Sequence, residues 1–357
     1  MRGVRVTFAT LLAVGAGVSG AGAPGAPAQS SESNPLAGVR LYVDPDSPSW
    51  QQWHAYERSG QRDKADLIWK IAREPRAMWL GRFTRPNFHV KLRRLIDAAV
   101  ADGSVPLFTV LRAQSTGCGA NYDGGGSAED ARTRAWYDDL ARAIGSDRVV
   151  IGFEPDSLGT IDCHARSRRD DRIRLLRYGV SALSRLPNAT IYLEATASDW
   201  EPAKRVAKLL RAIGVAKVRG FMLNATHYDW TSNNIRFGPE VSRRTGGKHF
   251  VINTAENGRG PIHYRLSNGR RINVGCNPGL RGLGPRPTTD TSHPMVDAYL
   301  WINRPGYAQS CQHRPIAWYP ARALTYARYA TDWERPPAGT KFGHFRRYSL
   351  RTLGIRR

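Results

Sequence analysis

Short apolar runs alternate with amphipathic stretches along most of the chain. Runs of mostly apolar residues are typical of strands buried on both faces of a parallel sheet; they lie at 39–43, 77–80, 105–110, 149–153, 190–193, 220–223, 249–252 and 296–301. Helical periodicity lies between them at 87–102, 128–144, 170–186 and 202–213. A strand followed by a helix, repeated at this spacing, predicts an α/β fold whose right-handed crossovers close a parallel barrel.

Polar and aromatic residues follow several of the predicted strands. They are Asp44, Trp79, Glu154, Asp156, Glu194, Asn224 and Asn253. In a parallel barrel the loops at the carboxyl ends of the strands converge on one face, which is where the chemistry is placed. The sequence therefore predicts a functional site on that rim. The segment 256–291, rich in Gly, Pro, Arg and Asn, has no helix or strand pattern and is predicted to be a loop that covers part of a cleft.

The first residues have the pattern of an export signal. Arg2 and Arg5 precede an apolar run over 6–18, and small residues lead to an Ala-Pro-Ala step that ends at Ala28. This order is typical of a secretory signal peptide. The apolar run is well short of the roughly 20 residues that a membrane span needs. We predict a signal peptide over 1–28, a linker over 29–36 and a secreted protein without a membrane span.

The chain is strongly basic. Its net charge of +23 comes from 53 Lys and Arg against 30 Asp and Glu, with a concentration of basic residues after Trp333. A basic surface attracts polyanions, nucleic acid included. Export argues against nucleic acid, so we interpret the charge as a solvated surface, with an anionic cell-envelope polymer as the alternative partner. The chain ends in a basic tail over 335–357, which in that alternative holds the protein at the cell surface.

Four cysteines form an even set, and an exported chain meets an oxidising compartment in which thiols pair. Three pairings are possible, and the spacings favour neighbours, Cys118 with Cys163 and Cys276 with Cys311. A zinc site needs close Cys or His clusters, which are absent from the sequence. We therefore predict two disulfides, no metal and no cofactor.

The segment Glu154-Pro155-Asp156-Ser157-Leu158-Gly159 directly follows a predicted strand, so it places two carboxylates at the rim. Acid catalysis at a sugar acetal needs a carboxyl group that stays protonated near neutral pH. A second carboxylate or an apolar wall raises a pKa in that direction. The motif alone fits a helix N-cap equally well.

Segments along the mature chain resemble the glycoside hydrolase family 6 cellulases and occur in that family's order. They begin at Asn34, Tyr42, Val105, Glu154, Gly247, Asn257, Cys276, Arg281, Pro287 and Pro294. The four cysteines also fall where that family has its two disulfides, which supports the pairing of neighbours. The resemblance implies a distorted parallel β/α barrel over 37–334 and a monomeric enzyme that hydrolyses β-1,4-glucan with inversion.

The same resemblance implies roles for individual residues. Asp156 matches the general acid, and Trp79 and Trp200 match aromatic platforms that stack on glucose rings. Asn224 matches a polar residue that lines the cleft, and Glu194 stands where the family has an Asp after the fifth strand. The expected partner of this site is a β-glucan or a related polysaccharide.

Other positions depart from the family. Before the first loop cysteine the family has a Tyr and an Arg-Asp pair, where this chain has Leu111, Thr116 and Gly117. Before the last cysteine the family has a Lys, a Glu and an Asp, where this chain has Asn303, Tyr307 and Gln309. Neutral side chains do not take a proton from water at useful pH. Two interpretations follow. In one, Asp123, in the glycine-flanked loop after Cys118, is a replacement base; its alternative role is that of a turn residue. In the other, the protein binds polysaccharide on the cell envelope with weakened catalysis.

Overall fold

Strands and helices alternate along the chain. The computed structural model describes residues 33–81, 88–113, 127–265, 271–273, 275–291, 293–308 and 316–330. The strands are β1 Met78–Gly81, β2 Leu107–Leu111, β3 Val149–Phe153, β4 Ala189–Glu194, β5 Gly220–Leu223, β6 His249–Asn253, β7 His263–Arg265, β8 Arg271–Asn273 and β9 Val296–Leu300. The helices are α1 Pro48–Arg58, α2 Arg62–Ala72, α3 Phe88–Ala101, α4 Ser127–Ile144, α5 Arg166–Leu183, α6 Ala203–Ile213, α7 Thr231–Arg244 and α8 Pro320–Arg328.

Seven of these strands form one parallel sheet in the order β1-β2-β3-β4-β5-β6-β9. The sheet curls into a half-barrel, and the N–H of Ala77, just before β1, donates to the carbonyl of Trp301, just after β9, at 2.8 Å. Strands β3, β5 and β9 are buried along their whole length, as expected for strands covered on both faces. The predicted distorted parallel β/α barrel is confirmed.

The apolar core has two parts because the strands bury both faces. One part lies between the sheet and its helices, and α6 shows how a helix joins it: Val206, Leu210 and Ile213 recur at helical spacing and are all buried. The helix ends at Gly214, whose φ of 100° supplies the left-handed C-cap. The other part fills the inside of the barrel with smaller residues such as Val150.

Some elements differ from the predicted ones. The prediction of a strand at 39–43 is wrong. This segment forms only a single β-bridge, between Leu41 and Val105, because the chain turns at Pro45 towards α1. The segment 256–291 is not wholly irregular, since it contains the antiparallel pair β7 and β8. Helix α7 was missed because Gly238 and Pro239 interrupt its pattern; Gly238 is required there, as a Cβ would lie 2.1 Å from the Phe250 ring.

The predicted signal peptide over 1–28 and the basic tail over 335–357 lie outside the described residues. The described residues from Pro35 onwards belong to one compact unit. Within the described ranges, we find no helix with the length and apolar character needed to cross a membrane.

Candidate active site

The carboxyl ends of β3, β4 and β5 carry a cluster of strained backbone conformations. Glu154, Asp156, Thr196 and Asn224 have φ values of 54°, 66°, 61° and 64°. A positive φ is uncommon for residues other than glycine and is held in place only by surrounding contacts. Such residues cluster at functional sites. The strain therefore falls on the rim where the sequence predicts the chemistry.

Glu154 is not a rim carboxylate, which corrects the prediction that both acids of the motif face the cleft. Its side chain is 0% exposed. It accepts the N–H groups of Arg112 at 2.9 Å and Ala113 at 3.0 Å, and the hydroxyl of Tyr137 at 2.6 Å. Burial raises its pKa. Glu154 therefore anchors the segment that leaves β2 to the end of β3.

Asp156 is the half-buried acid of the motif. The hydroxyl of Thr226 donates to its carboxylate. The N–H of Thr160 donates to its carbonyl at 3.0 Å, which closes the turn that follows β3. Asp156 is thus held by the segment after β5 and retains contact with solvent. This is the geometry that a proton donor at the rim requires.

Glu194, at the end of β4, lies beneath the same turn. It is 2% exposed and accepts the N–H groups of Leu158 at 2.8 Å and Thr196 at 2.7 Å. Burial raises the pKa of Glu194 to about 8, and the negative charge of Asp156 contributes to the rise. Near neutral pH Glu194 therefore keeps its proton beside Asp156.

Trp200 packs beside this pair. Its ring stacks on His227 at a centroid distance of 4.5 Å and an interplanar angle of 12°. A Cβ on Gly159 would lie 2.4 Å from the indole, so only glycine fits there. Nδ1 of His227 lies 2.9 Å from a carboxylate oxygen of Asp199. Burial lowers the pKa of His227. The hydrogen bond to Asp199 and the negative charge of Asp199 outweigh the effect of burial, so the pKa of His227 is raised overall.

The sequence did not single out Thr226, His227 or Asp199. Thr226 and His227 lie two and three residues after Asn224, just past the end of β5, so their position after a predicted strand was the available signal. Asp199 lies beside Trp200 in the segment after β4. These residues extend the site from β3 across β4 to β5.

Asn224 is 0% exposed. Its amide donates to the carbonyl of Asp229 at 3.1 Å and to that of Asn253 at 3.0 Å. Asn253 returns a bond to the carbonyl of Asn224 at 2.9 Å, and its side-chain oxygen accepts the N–H of Ile302 at 3.0 Å. The two asparagines therefore join the ends of β5, β6 and β9. In this structure Asn224 acts on backbone groups rather than as a cleft-lining side chain.

Trp79, on β1, lies at a second wall. Its indole N–H donates to the carbonyl of Ile302 at 2.9 Å. The guanidinium of Arg304 lies 4.9 Å from the Trp79 ring centroid and 4.5 Å from that of Tyr307. These three side chains line one cavity of about 240 Å³ together with Arg76. The cavity is framed by β1 and by the segment that follows β9.

The segment after β9 offers no acidic side chain over the described residues 301–308. Asn303 donates its amide to a carboxylate oxygen of the buried Glu256 at 2.8 Å. Burial raises the pKa of Glu256 to about 7, although Arg322 and Arg304 act against the rise. Tyr307 is half-buried beside Arg304. In this segment Asn303 is thus bound to Glu256, and Tyr307 packs against Arg304.

Several predicted residues lie outside the described ranges. These are Asp123, Cys118, Cys311, Thr116, Gly117 and Gln309. Cys163 and Cys276 are described, but each predicted disulfide has one partner among the residues just named. The two pairings and the replacement base therefore stay predictions.

A barrel of this topology with an acidic rim is typical of glycoside hydrolases. A sequence profile described as "Glycosyl hydrolases family 6" matches residues 36–347. The chain belongs to this family.

Individual relatives agree with that assignment. Endoglucanase A of Cellulomonas fimi is 34% identical over 295 residues, or 81% of this chain. Endoglucanase A of Thermobispora bispora is 30% identical, also over 81% of this chain. The matched region spans 61% and 62% of those two proteins, about three fifths of their lengths.

Solved structures agree as well. The endoglucanase Cel6 of Mycobacterium tuberculosis, solved in complex with methyl-cellobiosyl-4-deoxy-4-thio-β-D-cellobioside, superposes with a TM-score of 0.73 at 34% identity. That superposition covers 83% of this chain and 99% of the other. Endoglucanase CEL6B of Humicola insolens superposes with a TM-score of 0.69 at 20% identity and supports the fold alone.

Proposed function

We propose that the protein is a secreted glycoside hydrolase that cleaves a cellulose-like β-1,4-glucan with inversion and uses Asp156 as its general acid. The observation that carries this proposal is the coupled pair at the ends of β3 and β4. Glu194, with a pKa of about 8, lies close enough to Asp156 to respond to its charge. The pair therefore has a proton available near neutral pH, and its solvent-accessible member is Asp156.

The proposed reaction is a single displacement. Asp156 gives its proton to the glycosidic oxygen as the bond from that oxygen to the anomeric carbon breaks. Water attacks the anomeric carbon from the opposite face and loses a proton to a base. The acid and base carboxyl groups of inverting enzymes stand about 6.5–9.5 Å apart to leave room for that water. We assign the base role to Asp123.

Further parts of the proposal follow the family. Trp79 and Trp200 provide aromatic surface near the substrate, and the segment 256–291 covers part of the cleft. The mature enzyme begins near Ala28 and has its catalytic domain over 37–334, stabilised by Cys118–Cys163 and Cys276–Cys311. The basic tail over 335–357 gives an affinity for anionic envelope polymers.

The test is reducing-sugar release by the purified mature protein from a panel of soluble and insoluble β-glucans. Asp156→Ala is the inactive variant, and Asp139→Ala, which removes an exposed carboxylate of α4, is its matched control. Release that persists in the control and vanishes in Asp156→Ala supports the proposal. Release that survives Asp156→Ala contradicts it.

A second function, polysaccharide binding with weakened catalysis, is favoured by one observation. The described segment after β9 has neutral or cationic side chains where an inverting enzyme's base side is expected, with Asn303 bound to Glu256 and Tyr307 beside Arg304. Loss of a catalytic base costs roughly 10²–10⁴ in rate. If no glucan is cleaved while one is retained in a pull-down, the binding function is supported instead.

A further inference from the structure

Two arginines line the cavity beside Trp79 without an acidic partner. Arg76 donates to the hydroxyl of Ser49 at 2.6 Å, and Arg304 lies between the rings of Trp79 and Tyr307. The Nε of Arg304 is buried and has no hydrogen-bond partner in the described part of the chain. Neither guanidinium forms an ion pair with a carboxylate of the described residues. An arginine buried without an anion is unusual, because desolvation of a charge has to be offset.

The acidic residues that line this cavity do not remove the imbalance. Glu74 is held by Arg286 at 2.6 Å and by Arg73 at 3.3 Å. Asp44 accepts the N–H of Asp46 at 3.0 Å, and its charge acts on Arg76 without an ion pair between them. The buried Glu256 acts on Arg304 in the same way. The cavity therefore carries two guanidinium groups that are not paired directly with a carboxylate of the described residues. An anion placed in it would gain attraction from both arginines.

The surroundings of the two arginines disfavour their charge. Burial, with a smaller contribution from the charge of Arg76, lowers the pKa of Arg304 to about 10 although Tyr307 and Glu256 act against it. Burial also lowers the pKa of Arg76, against the opposing effects of Tyr307 and Asp44. Burial thus opposes the charged form of both groups. An anion bound between the groups would offset that effect at both, and this is the electrostatic arrangement of an anion site before its ligand arrives.

The cavity lies two strands away from the strand that leads to the catalytic acid. Trp79 pairs with Thr109 on β2, and Thr109 pairs with Gly152 on β3, which leads to Asp156. Adjacent strands lie about 4.8 Å apart, so the Trp79 backbone lies roughly 10 Å to the side of β3.

We propose that this cavity recognises a carboxylate on a sugar ring of the substrate, so that the preferred substrate is an acidic β-linked glucan rather than plain cellulose. The planar fork of arginine matches a carboxylate through two parallel hydrogen bonds. The Arg304 guanidinium lies over one face of the Trp79 ring, which places charge recognition beside the aromatic surface. This proposal rests on the proposed function in one respect, namely that a glycan is bound next to Asp156.

The test is calorimetric binding to the Asp156→Asn protein, which removes turnover. Three ligands are compared: cellotetraose, cellotetraose oxidised at C6 to the uronate, and cellotetraose phosphorylated at C6. We expect the uronate to bind about 10-fold or more tightly than the neutral ligand at low salt, with the advantage reduced at high salt. Arg304→Gln and Arg76→Gln should each abolish most of that advantage and leave the neutral affinity within about two-fold.

The matched control is Arg185→Gln, which removes an exposed arginine and should keep the full preference. Equal affinity for neutral and oxidised ligands overturns the inference, while cleavage of neutral glucan in the turnover assay leaves the proposed function intact. If Arg304→Gln weakens the binding of the neutral and the oxidised ligand equally, the arginine has a packing role, and the inference is also overturned. A stronger preference for the phosphorylated ligand overturns the carboxylate assignment. Absence of hydrolysis with a retained uronate preference contradicts the proposed function alone.

Discussion

The two walls of the candidate site have opposite electrostatics. At the ends of β3 and β4, Asp156 and Glu194 form a carboxyl pair that retains a proton near neutral pH. At β1 and the segment after β9, Arg76 and Arg304 face one cavity without an acidic partner in the described ranges. The first wall keeps what the family resemblance predicts for proton donation. The second has neutral residues such as Asn303 and Tyr307 where the family resemblance predicts charged ones, together with the two arginines.

This difference indicates that the two walls have separate tasks. A proton donor needs a neighbour that raises a pKa, and burial beside a second carboxyl group provides it. Substrate selection needs groups that distinguish one sugar from another, and buried charges do so strongly because a mismatched ligand leaves them unpaired. One wall therefore carries the reaction, and the other carries the choice of substrate.

The largest expected effect tests the first wall. Asp156→Ala should lower kcat by about 10²–10⁴ because the leaving oxygen loses its proton donor. The melting temperature should change little, since the side chain is half-buried and its neighbours are held by other contacts. Initial rates on the best glucan, with calorimetry of the same samples, check both parts. A rate lost together with the fold would leave Asp156 without a catalytic assignment.

Glu154, two residues away, should behave in the opposite manner. Glu154→Ala removes the acceptor of two backbone N–H groups and of the Tyr137 hydroxyl, so we expect a loss of roughly 3 kcal/mol in the free energy of unfolding. Glu240→Ala, at an exposed site on α7, serves as the control and should change it by less than about 0.5 kcal/mol. Denaturant unfolding measures both. A fully stable Glu154→Ala protein would refute the anchoring role.

Glu256 tests the structure behind the second wall. Its pKa rises from an ordinary 4.5 to about 7 on folding because it is buried. It therefore costs nothing at pH 4, where it is protonated in both states, and destabilises the fold increasingly as the pH rises to about 7. Glu256→Gln should accordingly stabilise the protein by about 2–3 kcal/mol at pH 8 and by little at pH 4. Unfolding at both pH values checks this, and a gain confined to low pH would contradict it.

Glu194 should set the alkaline limit of activity. The pair loses its last proton near the pKa of about 8 assigned to Glu194. Glu194→Gln removes this group and its proton, so the alkaline limb of the kcat/KM profile should move down by at least about one pH unit. At pH 7.5 a move of one unit is a loss of about threefold in kcat/KM. An unchanged limb would show that the pair does not supply the proton.

The sequence predicts the barrel well because each buried strand is a continuous apolar run. Strands β3 and β5 match their predicted bounds, and β2, β4 and β6 match to within two residues. Helix α1 was missed because Ser49 is its one fully buried residue, whereas α2 was missed although Ala65, Ile68 and Ala72 recur at helical spacing. A charged helix with a narrow apolar stripe does not differ clearly from a loop in sequence alone.

The site was predictable only in part. The position of Asp156 follows from its motif, but the burial of Glu154 does not, because its partners at Arg112, Ala113 and Tyr137 come from other parts of the chain. The arginine cavity could not be predicted either, since Arg76 and Arg304 come from distant parts of the sequence and meet only when the end of β9 reaches β1. The local pattern of apolar residues predicts the strands. The cavity depends instead on how the sheet curls into a half-barrel.

The most direct test of the account is the anomeric form of the first product. Proton NMR during cleavage of a soluble β-linked oligosaccharide by the mature protein follows that form before mutarotation. Inversion with Asp156 as the acid predicts that the α-anomer appears first and that Asp156→Ala yields no product. Initial release of the β-anomer, or equal product from Asp156→Ala, would contradict the account.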